Sequence, residues 1–285
     1  MTIDFGWART GRAYAWLGAE GFLLGAVILV LLNLGVGAPS PAGSSQYLNS
    51  TWLLVAGCAF LLLGMLAVIP VALTLRELLG RGAGPELMAT CFVAGSLLGV
   101  SSRLLLIPIR LSVANLAAVK GLQPQVLSSV VLTAGVVENT TNWLLYGWFL
   151  LTGLALYHAS RSAMKQAVLP RAWGWLGLVS ALGCWLVVLL TLATLIIDLP
   201  AVSLAGRLSM AVVGVILMPA WLIWLGRELG MALKRDRTAA DAVPEGLGER
   251  GARRGIRLPR IPIGAPSWLL RRVGKAPLAL ERNEG

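Results

Sequence analysis

The chain has few charged residues, and none at all over long stretches. Only 13% of its 285 residues are Asp, Glu, Lys or Arg, while 57% are hydrophobic; about a quarter of the residues in a soluble domain are charged. No charged residue lies between Glu20 and Arg76, and segments 172–197 and 208–226 are also uncharged. Each stretch reaches or exceeds the roughly 20 residues that a membrane-spanning helix needs. This pattern excludes a soluble globular domain and predicts an integral membrane protein.

Residues that commonly carry catalysis or bind metals are also scarce. The one histidine, His158, is too few for a paired haem site or a His-rich metal site. Cys58, Cys91 and Cys184 all fall in apolar stretches, where each is predicted to be a small buried hydrophobe rather than half of a disulfide. The sequence contains no Gly-rich phosphate loop, no H-E-x-x-H and no G-x-S-x-G. We therefore expect a protein that is not an enzyme and has no cofactor and no metal.

The basic charge is concentrated in the C-terminal tail. Of the 24 Lys and Arg residues, 13 lie from Arg227 onward, against seven acidic residues there. A basic tail with one tryptophan is a poor nucleic-acid signature, so no nucleic-acid partner is expected.

Residues 1–232 are predicted to form a transmembrane domain and residues 233–285 a largely disordered tail, because 238–260 is rich in Gly, Pro and Arg. Trp268, Arg271 and Arg272 combine apolar and basic side chains, which suits contact with an anionic lipid surface. The alternative is a solvated tail that only fixes the topology.

Apolar runs bounded by charges or by Pro and Gly predict an all-α fold with six transmembrane helices. The predicted helices cover residues 14–36, 51–75, 86–109, 125–157, 172–197 and 204–229. The fourth is too long for one perpendicular span. Either it tilts strongly, or the part before Glu138 lies along the outer surface.

The Lys and Arg residues of the short loops predict that both termini are cytoplasmic. The cytoplasmic side then carries the tail and Arg9, Arg12, Arg76, Arg81, Arg161, Lys165 and Arg171. The outer side carries Arg110, Lys120 and Arg207. Aromatic residues at the helix ends are interpreted as interfacial anchors. They are Trp7, Tyr14, Trp16, Trp173 and Trp175 inside, and Tyr47 and Trp52 outside.

The first and fifth predicted helices begin alike. The run from Arg12 to Gly18 matches the run from Arg171 to Gly177 at its Arg, Ala, Trp, Leu and Gly positions. The second and sixth helices both end in Arg-Glu-Leu after a proline, with a two-residue slip. This indicates a parallel repeat of helices 1–2 and 5–6 about an axis along the membrane normal. The alternative is a general preference for Trp and Arg at inner helix ends, and both interpretations stay open.

Three ionisable residues fall inside predicted spans, where such a group costs about 2.5 to 3.5 kcal/mol at mid-helix. Arg103 and Glu138 lie on consecutive antiparallel helices, about 25 and 28 Å from their inner ends at about 1.5 Å per residue. They are therefore predicted to meet in the outer third of the membrane. Glu20 lies near the start of its helix and is interpreted as structural, either snorkelling or paired with Arg76.

Small and polar residues accompany these two charges. Gly95, Gly99 and Arg103 recur every four residues, which directs Arg103 toward another helix. Glu138 shares one helix face with Thr141 and Asn142. The candidate residues for a ligand site or a buried ion pair are Arg103, Glu138, Asn142, Asn139 and Asn33. The structural interpretation is an ion pair that holds two helices in register, and the functional one is an outward-opening polar cavity.

Three motifs link the chain to a known group of proteins: Arg12-Ala13 to Gly18, Tyr146-Gly147 through Gly153 to His158, and Leu169-Pro170-Arg171 to Leu176-Gly177. In these motifs, over residues 12–229, it resembles an uncharacterised domain-of-unknown-function family of bacterial six-helix integral membrane proteins. The resemblance implies six helices in a bacterial cytoplasmic membrane, and it brings no activity, cofactor or active residue. The basic tail and the run 138–142 are not features of that family.

The predicted function is binding or handling of a membrane lipid or small solute through an outer polar pocket, without catalysis. Arg103 would contact an anionic group, and Glu138 would orient Arg103 or exchange a proton. The alternative is an accessory or sensor subunit whose basic tail recruits a membrane protein partner or the membrane surface. An intramembrane enzyme that depends on Glu138 is the third hypothesis.

Overall fold

The computed structural model describes residues 5–35, 44–80, 82–117, 123–197 and 199–241, and within them the chain is all-α. The helices are α1 (Phe5–Gly35), α2 (Ser44–Leu79), α3 (Ala83–Ala117), α4 (Pro124–Gln166), α5 (Arg171–Ile196), α6 (Pro200–Val212) and α7 (Met218–Asp241). A π-helical turn, Val213–Leu217, joins α6 to α7 in one continuous rod. The turn ends two residues before Pro219, whose nitrogen has no hydrogen to donate to the helix. The predicted all-α fold is confirmed.

Several of these helices have the length and apolarity of membrane spans. Within the described residues, five segments qualify by length and composition: Gly6–Leu32, Thr51–Leu79, Ala83–Leu116, Arg171–Ile196 and Pro200–Lys234. The remaining helix, α4, is 43 residues long. The outer surface carries many exposed aliphatic side chains, such as Leu132 at 72% and Ile196 at 86% exposure. A soluble monomer rarely exposes so much apolar surface, so the helices are compatible with a multi-pass membrane protein.

The helices form a closed ring. Each packs against the next one in sequence, and the rod of α6 and α7 packs back against α1. The α3 and α4 helices are antiparallel, since Gly84 approaches Ser162 and Gly147 approaches Leu98. One end of the ring, here called the Arg110 end, therefore contains the last turns of α3 and the first turns of α4.

Glycine allows α1 and α2 to approach backbone to backbone. A Cβ atom at Gly21 would lie 2.6 Å from the backbone nitrogen of Gly64, and one at Gly25 would lie 2.7 Å from Leu61 Cγ. Neither position has room for a side chain. Close packing of this kind is a main source of helix association in lipid, where burial of apolar surface gives little advantage.

Aromatic side chains fill the centre of the helix bundle. Trp173 stacks on Trp221 with centroids 4.9 Å apart, and Phe92 lies 5.9 Å from Trp221. Trp173 is 0% exposed, so its predicted role as an interfacial anchor is wrong. Its neighbour Trp175, two residues later, points to the opposite side and is 62% exposed.

Five of the six predicted helices are longer in the structure. The α1 helix begins at Phe5 and α2 at Ser44, rather than at residues 14 and 51. The α3 helix continues through Pro108 to Ala117, α4 runs without a break to Gln166, and α7 reaches Asp241. The first turns of α4 pack along the end of α3. The predicted domain boundary at residue 232 lies inside α7, and residues 238–241 of the segment expected to be disordered are helical. Trp268, Arg271 and Arg272 lie outside the described residues, as do all residues from 242 onward.

Candidate functional site

The carboxylate of Glu138 pairs with Arg110 rather than with Arg103. Glu138 Oε1 and Arg110 Nε form an ion pair between α4 and α3, with side chains 13% and 21% exposed. The predicted pairing of Glu138 with Arg103 is therefore replaced by one with the arginine seven residues later. Seven residues are close to two helical turns, so Arg110 shares a face with Arg103 and lies about 10 Å further along α3.

Arg110 was missed because the predicted third helix ended at Ile109. The apolar run of the third helix stops at the charge of Arg110, and this charge set the predicted boundary. With the helix extended, the seven-residue spacing from Arg103 would have identified Arg110 as a second inward-facing cation. This spacing was the available signal in the sequence.

Arg103 is buried, as its spacing from Gly95 and Gly99 predicts. Its exposure is 6%, and its guanidinium lies within hydrogen-bonding reach of the Cys58 thiol on α2. Within the described part of the chain, no carboxylate oxygen lies within 4.0 Å of the Arg103 guanidinium, and its Nε donor has no hydrogen-bond partner. A buried cation without a counter-charge carries a large desolvation penalty, which makes Arg103 the anomalous residue of the fold.

The three charges, on α3 and α4, all lie near Cys58 of α2. Cys58 is within electrostatic reach of Arg103, Arg110 and Glu138 together. One turn after Glu138 lies Thr141, which is buried and whose Oγ1 donates to the Glu138 carbonyl oxygen at 2.8 Å. This hydroxyl is therefore held by its own helix and is not directed at the charged groups.

The other predicted site residues lie in different environments. Asn142 is half-buried one turn from Glu138, whereas Asn139 is exposed on the outside of the ring. Asn33 belongs to α1, but its side chain lies outside the described part of the structure. Glu20 is exposed, and Arg76 pairs with Glu86 at 2.8 Å, so the structure does not reproduce the predicted pairing of Glu20 with Arg76.

A second buried polar group lies among α4, α5 and α7. A Cβ atom at Gly177 would collide with Ser160 Oγ and lie 2.9 Å from Trp221 Nε1. Neither of these two polar atoms has a hydrogen-bond partner among the described residues. The group carries no charge, so it is a weaker candidate for ligand binding than the cluster around Arg103.

The groups of the Arg103 cluster are suited to recognising charge. It offers guanidinium donors, one carboxylate and one thiol, and among the described residues no three His, Cys, Asp or Glu side chains group as metal ligands. All three cysteines are free and buried, as expected. No family model matches the chain, and no curated protein or solved structure matches it. Its functional interpretation therefore depends on its own geometry.

Proposed function

We propose that this chain is a multi-pass membrane protein that binds a lipid or a small solute at Arg103, without catalysing a reaction. The observation that carries the proposal is the burial of Arg103 without a carboxylate partner in the described residues. A structural arginine in a membrane span is normally neutralised by the protein itself, whereas a binding arginine is neutralised by its ligand. Glu138 serves the site by holding Arg110, and Asn142 is close enough along α4 to add a polar group.

The proposed topology has six spans, with α4 as the fourth and with both termini in the cytoplasm of a bacterium. The predominance of Lys and Arg in the predicted inner loops and in the tail supports this orientation. The Arg110 end of the ring then faces outward. The repeat that relates the first two predicted helices to the fifth and sixth, here α5 and the rod of α6 and α7, also remains part of the proposal. A C-terminal green fluorescent protein fusion should fluoresce and an alkaline phosphatase fusion should be inactive. The reverse pattern would contradict the orientation.

The binding proposal is tested by native mass spectrometry of gently extracted protein. Wild type is compared with Arg103→Met, and Arg207→Gln is the matched control because Arg207 is exposed on α6. We expect wild type and control to retain a bound non-protein mass that Arg103→Met loses while remaining folded by circular dichroism. Identical spectra from the three folded proteins would reject the proposal.

The alternative function, recruitment of a partner through the tail, depends largely on residues 242–285, which lie outside the described residues. Deleting these residues separates the two hypotheses. Retention of the bound mass by the truncated protein supports a site in the helices. Loss of it, with Arg103→Met unaffected, favours the tail.

A further inference from the structure

Within the part of the chain that the structure describes, the charged groups around Cys58 do not balance. Arg103 and Arg110 contribute two positive charges and Glu138 one negative charge, so 2 − 1 leaves one positive charge. The pair of Arg110 and Glu138 neutralises itself, and the surplus is therefore located on Arg103. Among the described residues, Arg103 has no carboxylate partner within 4.0 Å.

We propose that the ligand of this site is an oxyanion group with a single negative charge, and that Glu138 sets this selectivity by neutralising Arg110. The inference rests on the proposed function, because it names the ligand class of the same site. A phosphodiester or a carboxylate matches a guanidinium in shape as well as in charge. Such a group occurs both in lipid headgroups and in small solutes, and the two sources require different probes.

The order of the charges along α3 indicates how the ligand enters. The side chains of Arg110 and Glu138 are 21% and 13% exposed, whereas Arg103 lies two turns deeper and is 6% exposed as a whole residue. An oxyanion arriving from the Arg110 end passes the neutral pair before it reaches the guanidinium of Arg103, which has no carboxylate partner among the described residues. Since opposite charges attract strongly away from water, Arg103 is the point of highest affinity.

Substitutions change the charge of the site in a predictable order. The net charge of the site is +1 in the wild type, 0 in Arg103→Gln and +2 in Glu138→Gln. The double variant, which combines these two substitutions, returns to +1 because Arg110 is released from Glu138. A site that works by charge should therefore lose its ligand in Arg103→Gln and regain it in the double variant. A purely structural role predicts that the second substitution adds further damage.

The test uses the full chain, purified and delipidated in a neutral detergent, with native mass spectrometry as the binding assay. The lipid probes are phosphatidylglycerol and oleate, which are monoanions, phosphatidylcholine, which has no net charge, and phosphatidic acid, which can carry a second charge. Acetate and inorganic phosphate are added as competitors, so that displacement identifies a small solute and its absence identifies a lipid headgroup. Arg207→Gln is again the matched control.

We expect the monoanionic lipids to bind wild type and control, and to bind Arg103→Gln at least about tenfold more weakly, as loss of a charged hydrogen bond implies. The double variant should recover binding to within a few-fold of wild type. Glu138→Gln should shift the preference toward phosphatidic acid, and this variant tests the inference even if Arg103→Gln fails to fold.

The possible failures are distinguishable. If wild type binds none of the lipid or small probes, the proposed function fails together with the inference. If phosphatidylcholine binds as tightly as phosphatidylglycerol and the variants do not change the ratio, binding stands and the charge selectivity is rejected. Absence of recovery in a folded double variant also rejects it, because Arg110 would then be unable to replace Arg103.

Discussion

Replacing Arg103 by methionine is expected to stabilise the ligand-free protein, although it removes a buried side chain. An arginine near the middle of a span is unfavourable by about 2.5 to 3.5 kcal/mol. Arg103 is 6% exposed and has no carboxylate partner among the described residues to recover this energy. Methionine fills much of the same volume with a flexible apolar chain. After allowing for the lost contact with Cys58, we expect a net gain of about 1 to 2 kcal/mol, at the low end of the gains seen when buried charges are replaced by apolar residues.

The assay is thermal unfolding in detergent micelles, with and without added phosphatidylglycerol. Leu106→Met is the matched control, since Leu106 is equally buried on the next turn of α3 and an apolar exchange usually costs less than about 1.5 kcal/mol. Without lipid, Arg103→Met should melt a few degrees above wild type. With lipid the order should reverse, because only wild type gains stability from binding. If Arg103→Met is less stable than Leu106→Met under both conditions, Arg103 is structural and the reasoning is refuted.

Three further predictions concern packing, the ion pair and a thiol. Gly21→Ala should destabilise the fold by more than about 1 kcal/mol, because its Cβ would lie 2.6 Å from the Gly64 backbone. Gly135→Ala, with no described atom within 4 Å of its Cβ, should be neutral or slightly stabilising. Thermal melting of both variants checks this, and equal losses of stability would contradict it. Glu138→Met should lower stability by about 1 to 3 kcal/mol, which is less than for a fully buried pair because both side chains are partly exposed. Adding Arg110→Met should recover most of this loss in a double-mutant cycle, and a purely additive result would exclude the ion pair. Cys58 is fully buried and should react with a maleimide only after denaturation, as followed by mass spectrometry, so rapid labelling of the native protein would contradict its position.

Much of the fold could be predicted from the lengths of the apolar runs, because lipid leaves helices as the main way to satisfy the backbone. The inward direction of Arg103 followed from the spacing of Gly95 and Gly99. The end of α3 did not, because the apolar run stops at the charge of Arg110, whereas the helix continues past it to Ala117. Arg110 was consequently assigned to a loop, and Glu138 to the wrong arginine.

The roles of tryptophans also depend on tertiary structure. A Trp near the end of a helix suits the membrane interface and the protein core equally well, because its ring is largely apolar and carries one donor. Trp173 and Trp175 differ only in the side of α5 that they occupy, and the neighbours of α5 decide which one is buried. The packing of α5 against its neighbours therefore decides which tryptophan is a core residue and which is exposed, and the sequence of α5 alone does not show this packing.

The group that neutralises Arg103 in a membrane decides whether this residue binds a ligand or is structural. The direct measurement is experimental density around this residue in protein reconstituted in lipid nanodiscs that contain phosphatidylglycerol. We predict non-protein density within hydrogen-bonding distance of the Arg103 guanidinium, with Glu138 still paired to Arg110. A protein carboxylate bound to Arg103, with no such density beside it, would contradict the central claim.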